Sequence, residues 1–498
     1  MPSSLSSQPP AWQRWLPLAL LLLFSYLPLF WLLGGLPVQQ WDEARTGLNG
    51  LNIWTYNDWI VLRHIEKPDL WNSKPPLWPW LLAFSFKALG ATELGLRLPA
   101  AVAGLATVLL VYRAGSRWLG GPWAGFVAGM VLLTSQGYVH YHVTRSGDFD
   151  ALLTLWTTAG ALNWLAYLRT GRQRWAWAAG GAFALALLTK GIAGLLFAPG
   201  LLLATYLTHS ARRLRRASPW LAISLVVLVG VIWYSGRELA APGYLLNGVW
   251  KYEVAGPATE QMEGHYHPFG WYISEMSKQK FAIWLLAALL GGLLGRWLPA
   301  GSRNWWLVRY VGTVALTFLL VISIVQTKLS WYDAPVYPLL ALLAAAGLGW
   351  VGKALESHLQ APLTRGIRIA GILLLVALPY VAQLQHIRDM DTHRLERPQL
   401  QYGRHLREQV RQMPHVQQYI LATDGSFNDS PAFYAAAARF QYGHEVTRAD
   451  VWSMNKGRPG LIVMACGAKA YRPWMKHFTT EILVRSDSCL TFMLMRYR

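Results

Sequence analysis

Acidic side chains in this chain gather where apolar runs meet polar sequence. Asp42 and Glu43 are adjacent and stand just beyond the uncharged run Leu16–Leu33, and Asp148 and Asp150 lie two apart, with Arg145 before them, at the head of another apolar stretch. A carboxylate facing a cavity at a bilayer surface can serve as a general base or as a ligand for a divalent cation. The same residues can be read more simply. Asp42 and Glu43 would then be solvated loop charges, and Asp150 would open a helix whose dipole favours an acid there. Two lysines sit at similar boundaries, Lys74 before Pro75-Pro76 and Lys328 in the turn TKLSWYDA. Each could meet a lipid phosphate, or simply extend its ammonium to the interface. His265 and His267, in EGHYHPFGWY, can share a metal only on extended or irregular backbone, and two histidines fall short of a full ligand set. The two cysteines, Cys466 and Cys489, both lie near the C-terminal end. An oxidising compartment would favour a disulfide between them over two buried thiols. Phosphate-binding loops, dinucleotide fingerprints and cysteine-rich zinc patterns are missing; Thr189-Lys190-Gly191 lacks the glycines that would precede a phosphate loop.

The elements that must position these groups are apolar helices. Only 14% of the 498 residues are charged and 54% are hydrophobic, against about 25% charged in soluble proteins. The formal charge of +20 does not point to nucleic acid, because the arginines fall in short loops between apolar runs. There they set topology and touch anionic lipid head groups. With the basic segments Arg113–Arg117, Arg169–Arg174, Arg212–Arg216, Arg296–Arg309 and Lys353–Arg368 on the cytoplasmic side, the sequence predicts a mainly α membrane protein of about eleven spans. They run over 16–35, 98–113, 122–139, 150–168, 175–189, 192–208, 219–236, 281–298, 310–326, 335–352 and 367–384. The first is a retained span rather than a cleaved leader. The apolar segment 75–89 is short for a span and carries Lys87, so it is expected as an interfacial helix on the outer face. The outer face then holds the loops 37–97 and 237–280 and the turns 140–148 and 327–334. Residues 1–385 would form the membrane domain, and 386–498 a small soluble α/β domain outside, with helices expected over Arg397–Met413 and Pro431–Arg439 and strands over Gln418–Ala422, Gly460–Met464, Glu481–Arg485 and Thr491–Met495.

Seven motifs in order carry a resemblance over about residues 15–350: WDEAR, EKPDLWNSKPPLWPWLLAFSFKALG, LRLPAAVAGLATVLLVYRAGSRWLGG, RSGDFDALLTLW, LLTKGIAGLL, GHYHPFGWY and TKLSWYDAPVYPLLAL. Together they resemble the GT-C membrane glycosyltransferases of the aminoarabinose transferase and protein O-mannosyltransferase group. The resemblance implies transfer of one sugar from a polyprenyl-phosphate donor to a lipid, glycan or protein acceptor on the outer, periplasmic face of the cytoplasmic membrane. It implies Asp42 as the catalytic carboxylate with Glu43 beside it, Asp150 as the second acidic position, and Lys74, with Arg97, at the donor phosphate. Lys328 and Tyr332 match a polar cluster lining the donor cavity, and His265 or His267 a histidine that some relatives use at a metal, with Asp148 an extra carboxylate. A divalent cation is the one cofactor implied. Two features depart from the pattern: eleven spans rather than thirteen, and Asp333 at an ordinarily apolar position. The competing class, a transporter or lipid flippase without chemistry, calls for charges near mid-span, whereas here they cluster at the outer ends.

Overall fold

The computed structural model describes residues 11–498 except 66, 71, 256–264, 359–370, 372–376, 391–397, 426–428 and 451. Its elements up to the long central loop are α1 (Ala11–Phe30), α2 (Asp42–Tyr56), the two-stranded β1 (Arg63–His64) and β2 (Lys67–Pro68), α3 (Leu77–Leu89), α4 (Glu93–Trp118), α5 (Pro122–Leu133), α6 (Asp150–Thr170), α7 (Gln173–Lys190), α8 (Ala198–Leu207) and α9 (Ala217–Ala240). Beyond it come α10 (Ala282–Leu294), α11 (Arg303–Ile324) and α12 (Tyr337–His358). A further helical segment covers 377–390.

Among the described residues, five helices are long and apolar enough to cross a membrane: Glu93–Trp118, Gln173–Leu195, Ala217–Ala240, Arg303–Ile324 and Ala334–Leu355. A sixth is counted if Trp271–Lys280 and Ala282–Leu294, which meet at 119°, form one broken span. Four expected spans end or begin short of their expected bounds: 16–35 stops at Phe30 and 281–298 at Leu294, and two others are cut back for visible reasons. The run 122–139 gives a helix ending at Leu133, where Thr134 turns its hydroxyl back onto the Met130 carbonyl at 2.7 Å. The run 192–208 begins with a short 3-10 turn, so α8 starts only at Ala198. The expected span 367–384 lies mostly outside the described residues. At thirteen residues, α3 is well short of the roughly 20 a span needs.

Capping follows local chemistry. Thr92 caps α4, its hydroxyl accepting from the Gly95 N–H at 3.1 Å, and Ser302 caps α11 through the Trp305 N–H at 3.2 Å. Within the bundle, glycine lets backbones touch. A β-carbon on Gly291 of α10 would run into the Leu343 carbonyl of α12, and one on Gly347 of α12 into the Ala287 carbonyl of α10. This is the small-residue packing by which membrane helices associate where lipid supplies no hydrophobic drive.

The C-terminal part is an α/β unit of five strands in the order β4-β3-β5-β7-β6: β3 (Gln418–Thr423), β4 (Glu445–Asp450), β5 (Ile462–Cys466), β6 (Phe478–Ser486) and β7 (Cys489–Tyr497). β3 runs parallel to both β4 and β5, and β7 antiparallel to β5 and β6. Helices α13 (Pro398–Gln412), α14 (Asp429–Tyr442) and α15 (Ala468–His477) complete it. Cys466 and Cys489, paired across β5 and β7, form a disulfide.

One continuous buried cluster joins α2, α3 and the N-terminal part of α4 to α13, α14 and one sheet face. Phe433 lies so close to Gly47 that any side chain there would strike its ring. Tyr434 hydroxyl donates to Glu93 at 2.7 Å, and Arg407 reaches the same carboxylate at 2.6 Å. His64 pairs with Asp429 at 2.9 Å. The tail is thus fastened to the helix that begins with Asp42. Gly291→Leu should push α10 from α12 and destabilise the bundle by about 1–3 kcal/mol, the usual cost of overpacking. The check is an earlier thermal unfolding transition in detergent.

Candidate active site

The geometry of the site begins with Glu43, not Asp42. The Glu43 carboxylate is buried and takes both Arg97 Nε at 2.7 Å and Nη2 at 2.9 Å. It also accepts the Gln39 N–H at 2.9 Å, the Gly147 N–H at 2.9 Å and the Tyr141 hydroxyl at 3.0 Å. The remaining Arg97 protons go to the carbonyls of Leu33, Leu36 and Pro37. Burial alone would raise the Glu43 pKa, but Arg97 and the two backbone donors hold it below the ordinary carboxylate range. Glu43 and Arg97 therefore pin three segments, 33–39, the start of α2 and the 140–148 turn, to α4.

With Glu43 turned inward, Asp42 points into a cavity of about 760 Å3. Lys74, Asp148, Asp150, His265 and Tyr332 also line it. Of the residues expected from sequence, these six meet. Glu43, Arg97, Lys328 and His267 do not line the cavity. Glu43 and Arg97 form the buried pair behind it. Lys328 gives its ammonium to the Val325 carbonyl, and its backbone N–H to the His265 carbonyl at 3.0 Å. His267 stacks on Trp271 at 4.0 Å.

Three cavity residues are not singled out by sequence reading. Lys190, read there only against the phosphate-loop pattern, ends α7 and binds both Asp150 oxygens at 2.6 Å. Its ammonium also lies 5.2 Å from the Tyr332 ring centre. A lysine closing an apolar helix was the available signal, since such a charge needs a partner. His142 sits in the turn 140–148, HYHVTRSGD. Its backbone is left-handed, with φ +65°, a conformation costly for a residue with a side chain. Its ring stacks on Trp331 at 3.7 Å while Nδ1 meets Asp148 at 3.0 Å. Glu253, one of several acids in the long loop, accepts from the Ser73 hydroxyl at 2.8 Å and carries no sequence signal.

Asp42, His142 and Asp148 each offer a ligand atom, and these atoms lie within 4.8 Å of one another. Burial and then repulsion from Asp148 raise the Asp42 pKa, while Lys74 and His142 pull it down. Burial opposes charge on His142, yet the Asp148 hydrogen bond and the surrounding carboxylates raise it. Two carboxylates this close need a proton or a cation between them. Their oxygens with one imidazole nitrogen make a donor set suited to a divalent metal. Asp333 is buried, bonded to Lys280 at 2.9 Å and Tyr337 at 2.8 Å, and ties the 327–334 turn to the bent helix pair.

Residues 73–234 match the family model described as dolichyl-phosphate-mannose-protein mannosyltransferase. An undecaprenyl phosphate-alpha-4-amino-4-deoxy-L-arabinose arabinosyl transferase from Edwardsiella ictaluri is 28% identical over 394 residues, covering 74% of this chain and 66% of its own length. Its counterpart in Pseudomonas savastanoi is 27% identical over 364 residues, 70% and 64% respectively. The matches thus span just under two thirds of these relatives. In fold, the chain superposes on ArnT from Cupriavidus metallidurans bound to undecaprenyl phosphate with a TM-score of 0.71, at 18% identity, covering 96% of this chain and 97% of that one. The Archaeoglobus fulgidus oligosaccharyltransferase gives 0.53 at 14% identity, covering 95% and 74%.

The chain therefore has the fold of these two solved structures and is similar in sequence to the arabinosyl transferases. Within the cavity the Lys190–Asp150 pair is buried on both sides, 8% and 1% exposed. Removing one partner leaves a buried charge, at a cost of about 3–5 kcal/mol, whereas replacing both by apolar residues is often neutral. Lys190→Ala should therefore lower thermal stability clearly, and Lys190→Met combined with Asp150→Leu should recover it. Unfolding curves of the two variants in detergent check this.

Proposed function

We propose that this chain is a GT-C membrane glycosyltransferase of the aminoarabinose transferase and protein O-mannosyltransferase group, which transfers a single sugar from a polyprenyl-phosphate-linked donor to a lipid, glycan or protein acceptor on the outer face of the cytoplasmic membrane. The observation that carries the reading is the convergence of Asp42, Lys74, Asp148 and Asp150 in one cavity, from segments far apart in sequence. The names of the related arabinosyl transferases support a polyprenyl-phosphate donor. Its periplasmic orientation is supported by the basic loops on the opposite side, and the Cys466–Cys489 disulfide suits an oxidising compartment. The same arrangement takes about eleven spans, with 1–385 as the membrane domain and 386–498 as the soluble outer domain.

The reaction is a displacement at the anomeric carbon. The acceptor oxygen forms the new bond, the bond from that carbon to the phosphate oxygen breaks, and the polyprenyl phosphate leaves with the electron pair. A single displacement inverts the centre. Lys74 stands where it can neutralise the charge that grows on the leaving phosphate. The Lys74 ammonium lies 5.3 Å from the Phe149 ring centre, which fixes its side at the head of α6. Asp42 takes the proton from a hydroxyl acceptor. A phosphate acceptor arrives ionised, and Asp42 then orients it. Tyr332 and the Lys190–Asp150 pair shape the floor beneath the sugar. A divalent cation held by Asp42, Asp148 and His142 would supply further neutralisation of the phosphate. His265 at the rim is a remoter ligand for it, and nothing brings His267 near.

Asp42→Asn should lower transfer by about 10²–10⁴-fold, the range for loss of a general base, with the folded protein intact. Release of label from radiolabelled polyprenyl-phosphate sugar in membranes measures it; wild-type turnover would remove Asp42 as the base. Lys74→Ala should cut donor kcat/KM by roughly 10²-fold and leave acceptor KM nearly unchanged. A loss confined to the acceptor would reassign that lysine.

A further inference from the structure

The α/β unit carries a second cavity, of about 640 Å3, at the carboxyl ends of its parallel strands. Its lining follows the topology. Asp424 comes directly after β3, Trp452 and Met454 after β4, and Ala468 after β5. The connection from β3 runs through α14 to β4 on one side, and the connection from β5 runs through α15 toward β6 on the other. The helices leave on opposite faces. Phe433 and Ala437 of α14 pack in the cluster with Leu421 and Met464, and Trp474 of α15 in the cluster with Ile420 and Val463. The β3–β5 boundary is therefore a topological switch point. In open parallel sheets the crevice outside such a point is where ligands bind.

The charge in this crevice has one dominant sign. Lys469, Arg472 and Lys476 recur on one face of α15 and all line it, at the spacing that places helical side chains side by side. No ion pair among the described residues engages any of the three. Gly467, with φ +87°, precedes α15 and offers no side-chain cap, so the positive end of the helix faces the same space. Trp452, 86% exposed, forms the lip, a flat apolar surface of the kind that carries a sugar ring.

A short stretch of chain links the crevice to the main cavity. Six residues after Asp424, the Ser430 N–H donates to the Gln40 side chain at 3.0 Å, and Gln40 lines the cavity that holds Asp42. A fully extended chain of that length covers at most about 20 Å. We infer that this crevice binds a phosphorylated sugar, the anionic head of the acceptor, through Lys469, Arg472 and Lys476, and holds it while the accepting group enters the main cavity. The acceptor role rests on the transfer reading above. Anion binding at the crevice does not.

The test uses full-length protein in nanodiscs of zwitterionic lipid, with Lys74→Ala as background so that phosphate binding in the main cavity is removed. Glucose 6-phosphate is the probe and glucose the neutral control, read by calorimetry and by hydrogen exchange over 466–477. The expected result is binding of glucose 6-phosphate but not glucose, protection of the start of α15, and affinity about tenfold weaker in Arg472→Ala with Lys476→Ala. These substitutions are on an exposed face and leave the fold intact. Equal affinity in the variant, or equal binding of glucose, would overturn the proposal. So would protein whose basic face engages only nanodiscs containing phosphatidylglycerol, with no competition by glucose 6-phosphate, because it then reads bulk lipid charge. In the Lys74 wild-type background, the same two substitutions should raise the KM for a phosphorylated acceptor about tenfold and leave donor KM unchanged. If the probe binds as expected but no acceptor KM moves, the crevice stands and its link to transfer falls.

Discussion

The structure depends on the buried ion pair between Glu43 and Arg97. Two charges removed from water cost several kcal/mol each, and they are tolerated only when every proton and lone pair finds a partner. Here they do: Glu43 collects five donor contacts, and Arg97 spreads its remaining protons over three carbonyls of the segment that leads out of α1. That closure fixes where α2 begins. Because successive residues at a helix start point in different directions, seating Glu43 inward aims Asp42 the other way, into the cavity. The left-handed backbone at Trp41, with φ +68°, is part of the same turn.

The cavity is built as alternating charge. Asp150 is answered by Lys190, Asp148 by His142, and Glu253 by Ser73, with Lys74 close by. Such pairing keeps several carboxylates folded in one place without forcing each to be protonated. The pair of Asp42 and Asp148 is the least balanced, and that surplus negative charge is what a metal or a transferred proton would meet. Fastening of the tail to α2 through Phe433, and to Glu93 through Tyr434 and Arg407, makes the C-terminal α/β unit a structural brace for this site as well.

Much of this was legible in the sequence, for identifiable reasons. Apolar runs located α4, α7, α9, α11 and α12, because long uncharged stretches leave few alternatives, but α4 and α11 begin five and seven residues before the runs expected for them. In the tail, Arg397–Met413 read as helical and Gln418–Ala422 as a strand, and the structure has α13 and β3 there. β4 and α15 escaped because their polar, charged composition hides the period. Asp42, Lys74, Asp148, Asp150, His265 and Tyr332 meet in the cavity. Adjacent Glu43 looked equivalent to Asp42 in sequence; only the partner, 54 positions away, separates their roles. Lys190 was hidden by the same problem, since a charge at a helix end reads alike whether it faces lipid or a carboxylate, and His142 because a histidine in a turn does not announce its partner.

The central claim is that the Glu43–Arg97 pair sets the aim of Asp42. Sugar transfer by purified Arg97→Gln, alongside Glu43→Gln and the double variant, tests it most directly, with each protein first shown to be monodisperse at the assay temperature. The account predicts that Arg97→Gln transfers about 100-fold more slowly, as a misplaced catalytic group should, with donor affinity retained. Wild-type turnover in Arg97→Gln would show that Asp42 is positioned by something else.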